Sequence, residues 1–229
     1  MNANPPVVLT IAGFDPSGRA GVLADVWAIT ASKGSPRAVI TALTAQGSHF
    51  SSAATAPGVL RAQLRAVMRE AHAIKLGMIP DAKSLAVIRA ELTDVPVVVD
   101  PVVRTSRGDP LSRLTPHDYL SFGKTRAIIT PNLDELDWLG VDAAGLLAAG
   151  YSGVVVKGGD PATDEVFGPS RHVILRGTRL PRSTSHHRGT GCRFGSGMAV
   201  ALARGEDLFT AARSAKRLVR KFLRAPIIP

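Results

Sequence analysis

The sequence is poor in cysteine, in aromatic residues and in long apolar stretches. Its one cysteine, Cys192, cannot form an intramolecular disulfide, which excludes a disulfide-stapled fold and leads us to expect a cytoplasmic protein. No stretch reaches the roughly 18 apolar residues of a membrane span, and residues 1–6 lack the pattern of a targeting peptide, so we expect no membrane partner. Aromatic residues make up 5% of the chain and hydrophobic residues 45%, which predicts an aliphatic core typical of packed parallel sheets.

Acidic residues are outnumbered by basic ones: 28 lysines and arginines against 18 aspartates and glutamates give a formal charge of +10. Such a charge favours anionic partners, among them nucleotides. The densest basic segment, residues 213–224, also carries apolar residues at helical spacing, so it is either a solvated helix face or a nucleic-acid patch. Because stacking aromatics do not interleave with its charges, we predict a solvated face and no nucleic-acid partner.

Short aliphatic segments alternate with helical ones along most of the chain. The aliphatic pattern predicts strands at residues 7–13, 38–46, 73–78, 95–103, 127–132 and 153–160, and one or two edge strands within 173–180. The helical pattern predicts helices at residues 22–32, 59–72 and 82–92, after residue 132, at 198–203 and near the C-terminus. We therefore predict one α/β domain over residues 1–229, with a mostly parallel sheet and helices on both faces.

Polar residues stand where the predicted strands end. Asp100, Asn132 and Lys157 each follow or close such a strand, and Glu135 lies three residues after Asn132. Because parallel strands end at one edge of a sheet, these side chains can share one rim and serve as ligands for an ion or a phosphate. The alternatives are loop capping for Asp100, a capping box for Asn132 and Glu135, and simple solvation for Lys157.

A glycine-rich turn at residues 187–197 leads directly into an apolar helical run at 198–203. The free amides and the positive dipole end of such a helix attract anions, which indicates a phosphate-transfer centre. Cys192 falls in the first helical turn, where the same field is expected to lower the pKa of its thiol. The alternative is a loop that closes on a core helix, with Cys192 as a small silent hydrophobe.

Residues 14–21 form another turn-rich loop, between the first predicted strand and the first predicted helix. A loop in that place lies at the carboxyl edge of the sheet, where α/β proteins bind ligands. Its glycine spacing matches neither a Walker A motif nor a dinucleotide fingerprint, so the loop either binds another ligand or only turns the chain.

Taken together, eight motifs resemble the hydroxymethylpyrimidine/phosphomethylpyrimidine kinases of thiamine biosynthesis, within the ribokinase-like superfamily. They occur in the family's order: TIAGxDPSGxAGxxAD at 10–25, ITALTAQ at 40–46, KLGM at 75–78, VDPV at 99–102, GDPL at 108–111, TPNLxE at 130–135, VKGG at 156–159 and GTGC at 189–192. Each motif alone is a weak signal, but the ordered set is specific.

The resemblance implies a ribokinase-like three-layer α/β/α fold, a homodimer, and transfer of the γ-phosphoryl of ATP to a pyrimidine hydroxymethyl group with Mg²⁺. It also implies four groups of site residues. These are Gly13, Asp25, Gln46 and Met78 for the pyrimidine; Asn132, Lys157 and Gly158 for the nucleotide; Asp100 and Glu135 for the metal; and Gly189, Thr190 and Gly191 as anion hole beside Cys192, which stands where most of the superfamily has an aspartate base.

Some positions depart from the family's pattern. Around the acceptor pocket these are Phe14, Arg19, Leu23, Trp27 and Gly47, and around the anion hole they are Arg188, Arg193 and Gly195. Arg193 stands where threonine follows the cysteine, so it either adds a phosphate contact or obstructs the site. The chain is also short between residues 139 and 153, near the nucleotide side.

The leading hypothesis is an ATP- and Mg²⁺-dependent kinase of hydroxymethylpyrimidine or its monophosphate. A kinase of the same fold that acts on pyridoxal-type vitamers is the nearer alternative, because those rings also present a hydroxymethyl group. The alternative from another class is a non-catalytic pyrimidine-binding homologue.

Overall fold

The computed structural model describes residues 4–46, 50–105, 108–123, 127–159, 162–178 and 188–225. Its strands are β1 (Val7–Phe14), β2 (Ser35–Gln46), β3 (Phe50–Ala54), β4 (Ala73–Leu76), β5 (Val97–Val99), β6 (Ile128–Ile129), β7 (Gly153–Gly159), β8 (Thr163–Phe167) and β9 (His172–Leu175). Its helices are α1 (Gly21–Ala31), α2 (Pro57–Val67), α3 (Ala82–Glu91), α4 (Pro116–Leu120), α5 (Leu133–Leu139), α6 (Ala143–Ala148), α7 (Thr190–Ala203) and α8 (Leu208–Arg224).

The strands form one sheet in the order β3-β2-β1-β4-β5-β6-β7-β8-β9. Six neighbouring strands, from β2 through β7 in that order, run parallel, and the antiparallel strands β3, β8 and β9 lie at the two edges. The carboxyl ends of β5, β6 and β7 therefore meet along one rim. This arrangement confirms the predicted mostly parallel α/β sheet.

Two hydrophobic cores lie on opposite faces of the sheet because successive residues of each strand point to opposite sides. Leu9, Ile74 and Ile129 belong to the core covered by helices α2 to α6. Val8 and Ile128 belong to the other core, which α1, α7 and α8 cover. The result is the three-layer α/β/α fold that the sequence predicted.

The predicted elements are present, with shifted ends. The strand expected at 95–103 is confined to Val97–Val99, and the helix expected at 59–72 ends at Val67 before a 3₁₀ turn, Met68–Glu70. Sequence analysis did not identify β3, β8, α4 or α6, which are short or lie at the sheet edges. Among the residues that the structure describes, no helix is long and apolar enough to cross a membrane.

Candidate active site

The rim at the ends of β5 and β7 carries an ion pair. Lys157 Nζ lies 2.7 Å from Asp100 Oδ1, and the backbone N–H of Lys157 donates to the carbonyl oxygen of Pro131 at the end of β6. Burial lowers the pKa of Lys157, but Asp100 and Glu135 outweigh that effect and the pKa is raised overall. Lys157 is therefore a fixed positive charge on the rim.

The second carboxylate oxygen of Asp100, Oδ2, is buried and has no hydrogen-bond partner among the residues that the structure describes. A buried carboxylate oxygen without a donor is costly, and this oxygen is the atom on the rim that would gain most from a cation. Within the described ranges no group of three or more His, Cys, Asp or Glu side chains could hold a metal ion. Mg²⁺ commonly binds through one or two carboxylates together with substrate phosphates, so the residues present fit Mg²⁺ brought in with a nucleotide.

Asn132 and Glu135 begin helix α5 as a reciprocal capping box. Asn132 Oδ1 accepts the N–H of Glu135 at 2.8 Å, and Glu135 Oε2 accepts the N–H of Asn132 at 2.8 Å. Burial first, and then Asp100, raise the pKa of Glu135 to about 7, while Lys157 opposes this shift. The capping alternative is thus present, and it fixes Glu135 beside the Asp100–Lys157 pair.

The glycine turn lies directly on that ion pair. A Cβ on Gly191 would be 3.2 Å from Lys157 Nζ and 3.6 Å from both Asp100 oxygens. Gly189 caps α7 in the left-handed conformation, with φ of 76°, and Thr190 is the first residue of the helix. The first amides of a buried helix and a lysine ammonium therefore converge on one spot, as an anion site requires. Residues 179–187, including the start of the predicted turn, lie outside the described residues.

Cys192 lies in the first turn of α7, as predicted, and is partly buried. The prediction of a lowered thiol pKa is wrong: burial raises the pKa of Cys192 to about 11, and Asp25 and Asp100 add to it. Lys75 and a hydrogen bond from the N–H of Gly21 oppose the shift without reversing it. Desolvation thus outweighs the helix dipole, and at neutral pH the thiol is protonated.

A second lysine–aspartate pair lies beneath Cys192. Lys75 Nζ is 2.9 Å from Asp25 Oδ2, and neither side chain is exposed. Thr10 donates to the same oxygen, and Ser196 on α7 donates to Oδ1. Asp25 was predicted to line the pyrimidine pocket. Its side chain is fully buried, and its two oxygens accept hydrogen bonds from three donors, so its contact with a pyrimidine stays a prediction.

Three residues of this cluster were not predicted from the sequence as site residues: Thr10, Lys75 and Ser196. The KLGM motif contains Lys75, but a lysine inside a strand gives no sign of its partner. The register supplies that information: Thr10 on β1 pairs with Lys75 on β4, and α1 places Asp25 above them. Gly77 leaves room for the ammonium, since a Cβ there would lie 2.5 Å from Lys75 Nζ.

Gly13 and Met78 lie side by side at the ends of β1 and β4. A Cβ on Gly13 would be 2.7 Å from Met78 Sδ, and Thr41 Oγ1 donates to the carbonyl oxygen of Met78. The structure thus brings together two of the predicted pyrimidine residues. Gln46 ends β2, but its side chain lies outside the described part of the chain.

Gly158 follows Lys157 with φ of 86°, a conformation that favours glycine. Its N–H donates to Asp164 Oδ1 at 3.0 Å, and Asp164 Oδ2 in turn pairs with Lys216 of α8. This contact ties the end of β7 to the hairpin with β8, next to Lys157.

Comparison with known proteins shows which family the chain resembles. The family model for phosphomethylpyrimidine kinase matches residues 15–228. A hydroxymethylpyrimidine/phosphomethylpyrimidine kinase of Streptomyces coelicolor is 38% identical, in an alignment that covers 94% of this chain and 87% of that protein. The enzyme of the same name from Staphylococcus aureus strain MRSA252 is 32% identical, with the same coverage.

Solved structures give the same result. The phosphomethylpyrimidine kinase of Clostridium difficile superposes with a TM-score of 0.79 at 25% identity, covering 96% of this chain and all of that one. An ADP complex of Bacillus subtilis pyridoxal kinase superposes with a TM-score of 0.80 at 26% identity, covering 93% and 90% of the two chains. This chain belongs to the phosphomethylpyrimidine kinase family.

Proposed function

We propose that this protein transfers the γ-phosphoryl group of ATP to the hydroxymethyl group of 4-amino-5-hydroxymethyl-2-methylpyrimidine, and to the monophosphate of that compound, in thiamine biosynthesis. One observation supports the proposal above all. The glycine turn at Gly189–Gly191 packs directly against the Lys157–Asp100 pair, and Cys192 is the next residue in the chain. The names of the relatives supply the acceptor, and the ADP complex of the pyridoxal kinase supports an adenine nucleotide as donor.

The turn and Lys157 bind the phosphoryl group during transfer. Phosphoryl transfer needs alignment and charge neutralisation more than covalent chemistry from the protein. The amides of Thr190 and Gly191, at the positive end of α7, would face the negative charge that develops on the phosphoryl group. Lys157 adds a full positive charge next to them, since its Nζ lies 3.2 Å from where a Cβ on Gly191 would be. Because these groups are held in place before the substrate arrives, little reorganisation is needed during the reaction.

Asp100 and Glu135 would hold Mg²⁺ together with the nucleotide phosphates. Mg²⁺ bound there would neutralise phosphate charge and align the donor. Asp100 would contribute Oδ2, which no donor within the described ranges occupies, and Glu135 is fixed beside it by the capping box. Asn132 and Gly158 border the same edge and would contact the nucleotide.

Cys192 accepts the proton of the acceptor hydroxyl. In this step the hydroxymethyl oxygen forms a bond to the γ-phosphorus, the bond from that phosphorus to the departing ADP breaks, and the hydroxyl proton passes to the Cys192 thiolate. With a pKa of about 11, only a small fraction of the thiol is ionised at neutral pH, so the rate of this step increases with pH.

Gly13 and Met78 would form the wall against which the pyrimidine ring lies, and Gln46 would hydrogen-bond to a ring nitrogen and to the amino group. Gly13 has no side chain, which makes room for Met78 Sδ, since a Cβ there would lie 2.7 Å from that sulfur. Thr10 of β1 and Lys75 of β4 both donate to Asp25, which thereby joins the two strands that carry this wall.

An ADP-release assay tests the proposal. Purified protein is given ATP and Mg²⁺ with hydroxymethylpyrimidine, its monophosphate or pyridoxal as acceptor. We expect the highest kcat/KM with the two pyrimidines. A higher value with pyridoxal would favour a pyridoxal kinase, whose fold this chain shares. Pyrimidine binding by calorimetry without any turnover would identify a non-catalytic binding protein and contradict the proposal.

A further inference from the structure

Arg193, the residue after Cys192, does not extend into the anion site. The residue is 6% exposed, and Nη1 donates to the carbonyl oxygens of Arg19, Arg188 and Gly189, each at 3.1 Å. Arg19 belongs to the loop between β1 and α1, whereas Arg188 and Gly189 belong to the turn before α7. One guanidinium nitrogen therefore connects the acceptor-side loop to the phosphate-side turn.

The guanidinium is held in this place by two aromatic rings. Its central carbon lies 3.9 Å from the centroid of the Phe222 ring on α8 and 5.2 Å from that of Trp27 on α1. The two rings contact each other edge to face at 5.4 Å. A planar cation that packs against aromatic rings and also donates hydrogen bonds is well suited to hold a fixed orientation.

The loop and the turn approach each other so closely that they leave no space for a side chain. A Cβ on Gly189 would collide with the carbonyl oxygen of Arg19 and would lie 2.7 Å from Arg193 Nη1. Two carbonyl oxygens that face each other repel unless a donor lies between them, and burial raises the cost of leaving them unpaired. Arg193 supplies that donor. The N–H of Gly21, at the end of the same loop, donates to the Cys192 thiol, so the position of the loop also sets the surroundings of the sulfur.

We propose that Arg193 is a positioning residue that sets the spacing between the acceptor-side loop at residues 14–21 and the anion turn at Gly189–Gly191, and through them the placement of the Cys192 thiol. The role of this spacing in phosphoryl transfer rests on the proposed kinase function. The spacing itself is a property of the free protein. A displacement of about 1 Å in such a constellation is enough to slow a reaction on the order of 100-fold.

The single cysteine allows a direct test that needs no kinase activity. Iodoacetamide alkylates only Cys192 among the side-chain thiols, so the rate of modification at a fixed pH reports the accessibility and ionisation of that sulfur. Arg193→Ala should raise this rate about 10-fold or more, because the loop and the turn separate. Arg193→Lys, which keeps a donor but not the planar stack, should give an intermediate rate. Phe222→Leu, which keeps the hydrogen bonds, should give the smallest increase.

Arg204 offers a matched control at the other end of the same helix. Arg204 Nη2 donates to the carbonyl oxygens of Ser32 and Lys33, and thereby links the end of α7 to the end of α1. Arg204→Ala removes the same kind of contact without touching the turn. We expect wild-type alkylation and wild-type kinetics in this variant, even if its thermal stability falls.

Kinetic constants separate positioning from general destabilisation. In Arg193→Ala we expect kcat to fall roughly 10- to 100-fold, with partial recovery in Arg193→Lys. Wild-type alkylation rates in both Arg193 variants would overturn the proposal, and so would equal increases in Arg193→Ala and Arg204→Ala. If Arg193→Ala does not fold, the Lys and Phe222→Leu variants decide by the same criterion. If the wild type shows no kinase activity, the proposed function fails, while the alkylation rates still decide the role of Arg193.

Discussion

Of the lysine–aspartate pairs in the described part of the chain, two lie beside the anion turn and Cys192, and the differences between them distinguish structural support from ligand binding. Lys75–Asp25 has no solvent exposure, and both Asp25 oxygens accept hydrogen bonds. In Lys157–Asp100 the lysine side chain is 12% exposed, and Asp100 Oδ2 accepts no hydrogen bond from the described part of the chain. The first pair has its hydrogen bonds satisfied within the protein, whereas the second leaves one carboxylate oxygen for a ligand. We therefore expect the same two residue types to act as a structural brace in one place and as part of a binding site in the other.

The largest expected effect concerns the stability that the Lys75–Asp25 pair contributes. Asp25→Ala leaves the Lys75 ammonium fully buried without its partner, which costs about 3–5 kcal/mol of unfolding free energy. Asp100→Ala should cost less than about 2 kcal/mol, because Lys157 keeps some solvent exposure and an unpartnered carboxylate oxygen disappears. Urea unfolding of both variants measures the difference. Equal losses would show that the two pairs play the same structural role.

The second prediction concerns activity instead of stability, and here the large effect is expected at the Lys157–Asp100 pair. Asp100→Asn keeps the size of the side chain but removes its charge, and we expect kcat to fall about 100- to 1,000-fold, the range seen when one preorganised electrostatic group is lost. Asp134→Asn, on the exposed side of α5, is the control and should leave kcat unchanged. Full activity of Asp100→Asn would show that the Lys157–Asp100 pair takes no part in the reaction.

The third prediction concerns the pH dependence that the raised pKa of Cys192 imposes. An acid with a pKa of about 11 is neutral at pH 7, so its basic form increases with pH. If Cys192 accepts the proton, kcat should rise between pH 7 and 9.5, by up to about tenfold per unit. Cys192→Asp, whose carboxylate is ionised across this range, should show a flatter profile. A flat wild-type profile would exclude the thiolate as base.

The smallest expected effect is the dependence of stability on pH through Glu135. Its pKa rises from 4.5 in the unfolded chain to about 7 in the folded protein, so the folded state binds the proton more tightly. The stability gained in this way is present in full below pH 4.5 and is lost as the pH rises through about 7. Unfolding free energies of wild type and Glu135→Gln between pH 5 and 8 test this, and Glu135→Gln should show the smaller decline. Parallel curves would contradict the assignment.

The rim was predictable from the sequence, whereas the support behind it was not. Asp100, Asn132 and Lys157 follow strands, and the ends of parallel strands meet by geometry alone. The Lys75–Asp25 pair depends on the register of β1 against β4 and on the position of α1, which no local pattern encodes. Periodicity identifies a face or an edge, but it does not identify a partner 50 residues away.

Two predictions show how tertiary surroundings decide between local effects. The helix dipole favours a Cys192 thiolate, but burial together with Asp25 and Asp100 outweighs it. Arg193 had two expected roles, a phosphate contact or an obstruction, and the structure gives it neither, because Trp27 and Phe222 hold it on the far side of the turn. Both outcomes depend on residues distant in sequence, so the turn alone could not indicate them.

We expect the Lys157–Asp100 pair to bind phosphate and the Lys75–Asp25 pair to support the fold. The most direct test measures nucleotide binding by calorimetry, with ATP and Mg²⁺, on folded Lys157→Met and Lys75→Met. We predict that Lys157→Met weakens nucleotide binding at least about 10-fold with little loss of stability, and that Lys75→Met loses stability but keeps nucleotide affinity within about threefold of wild type. Wild-type affinity in Lys157→Met would contradict the assignment of the rim pair as the phosphate site.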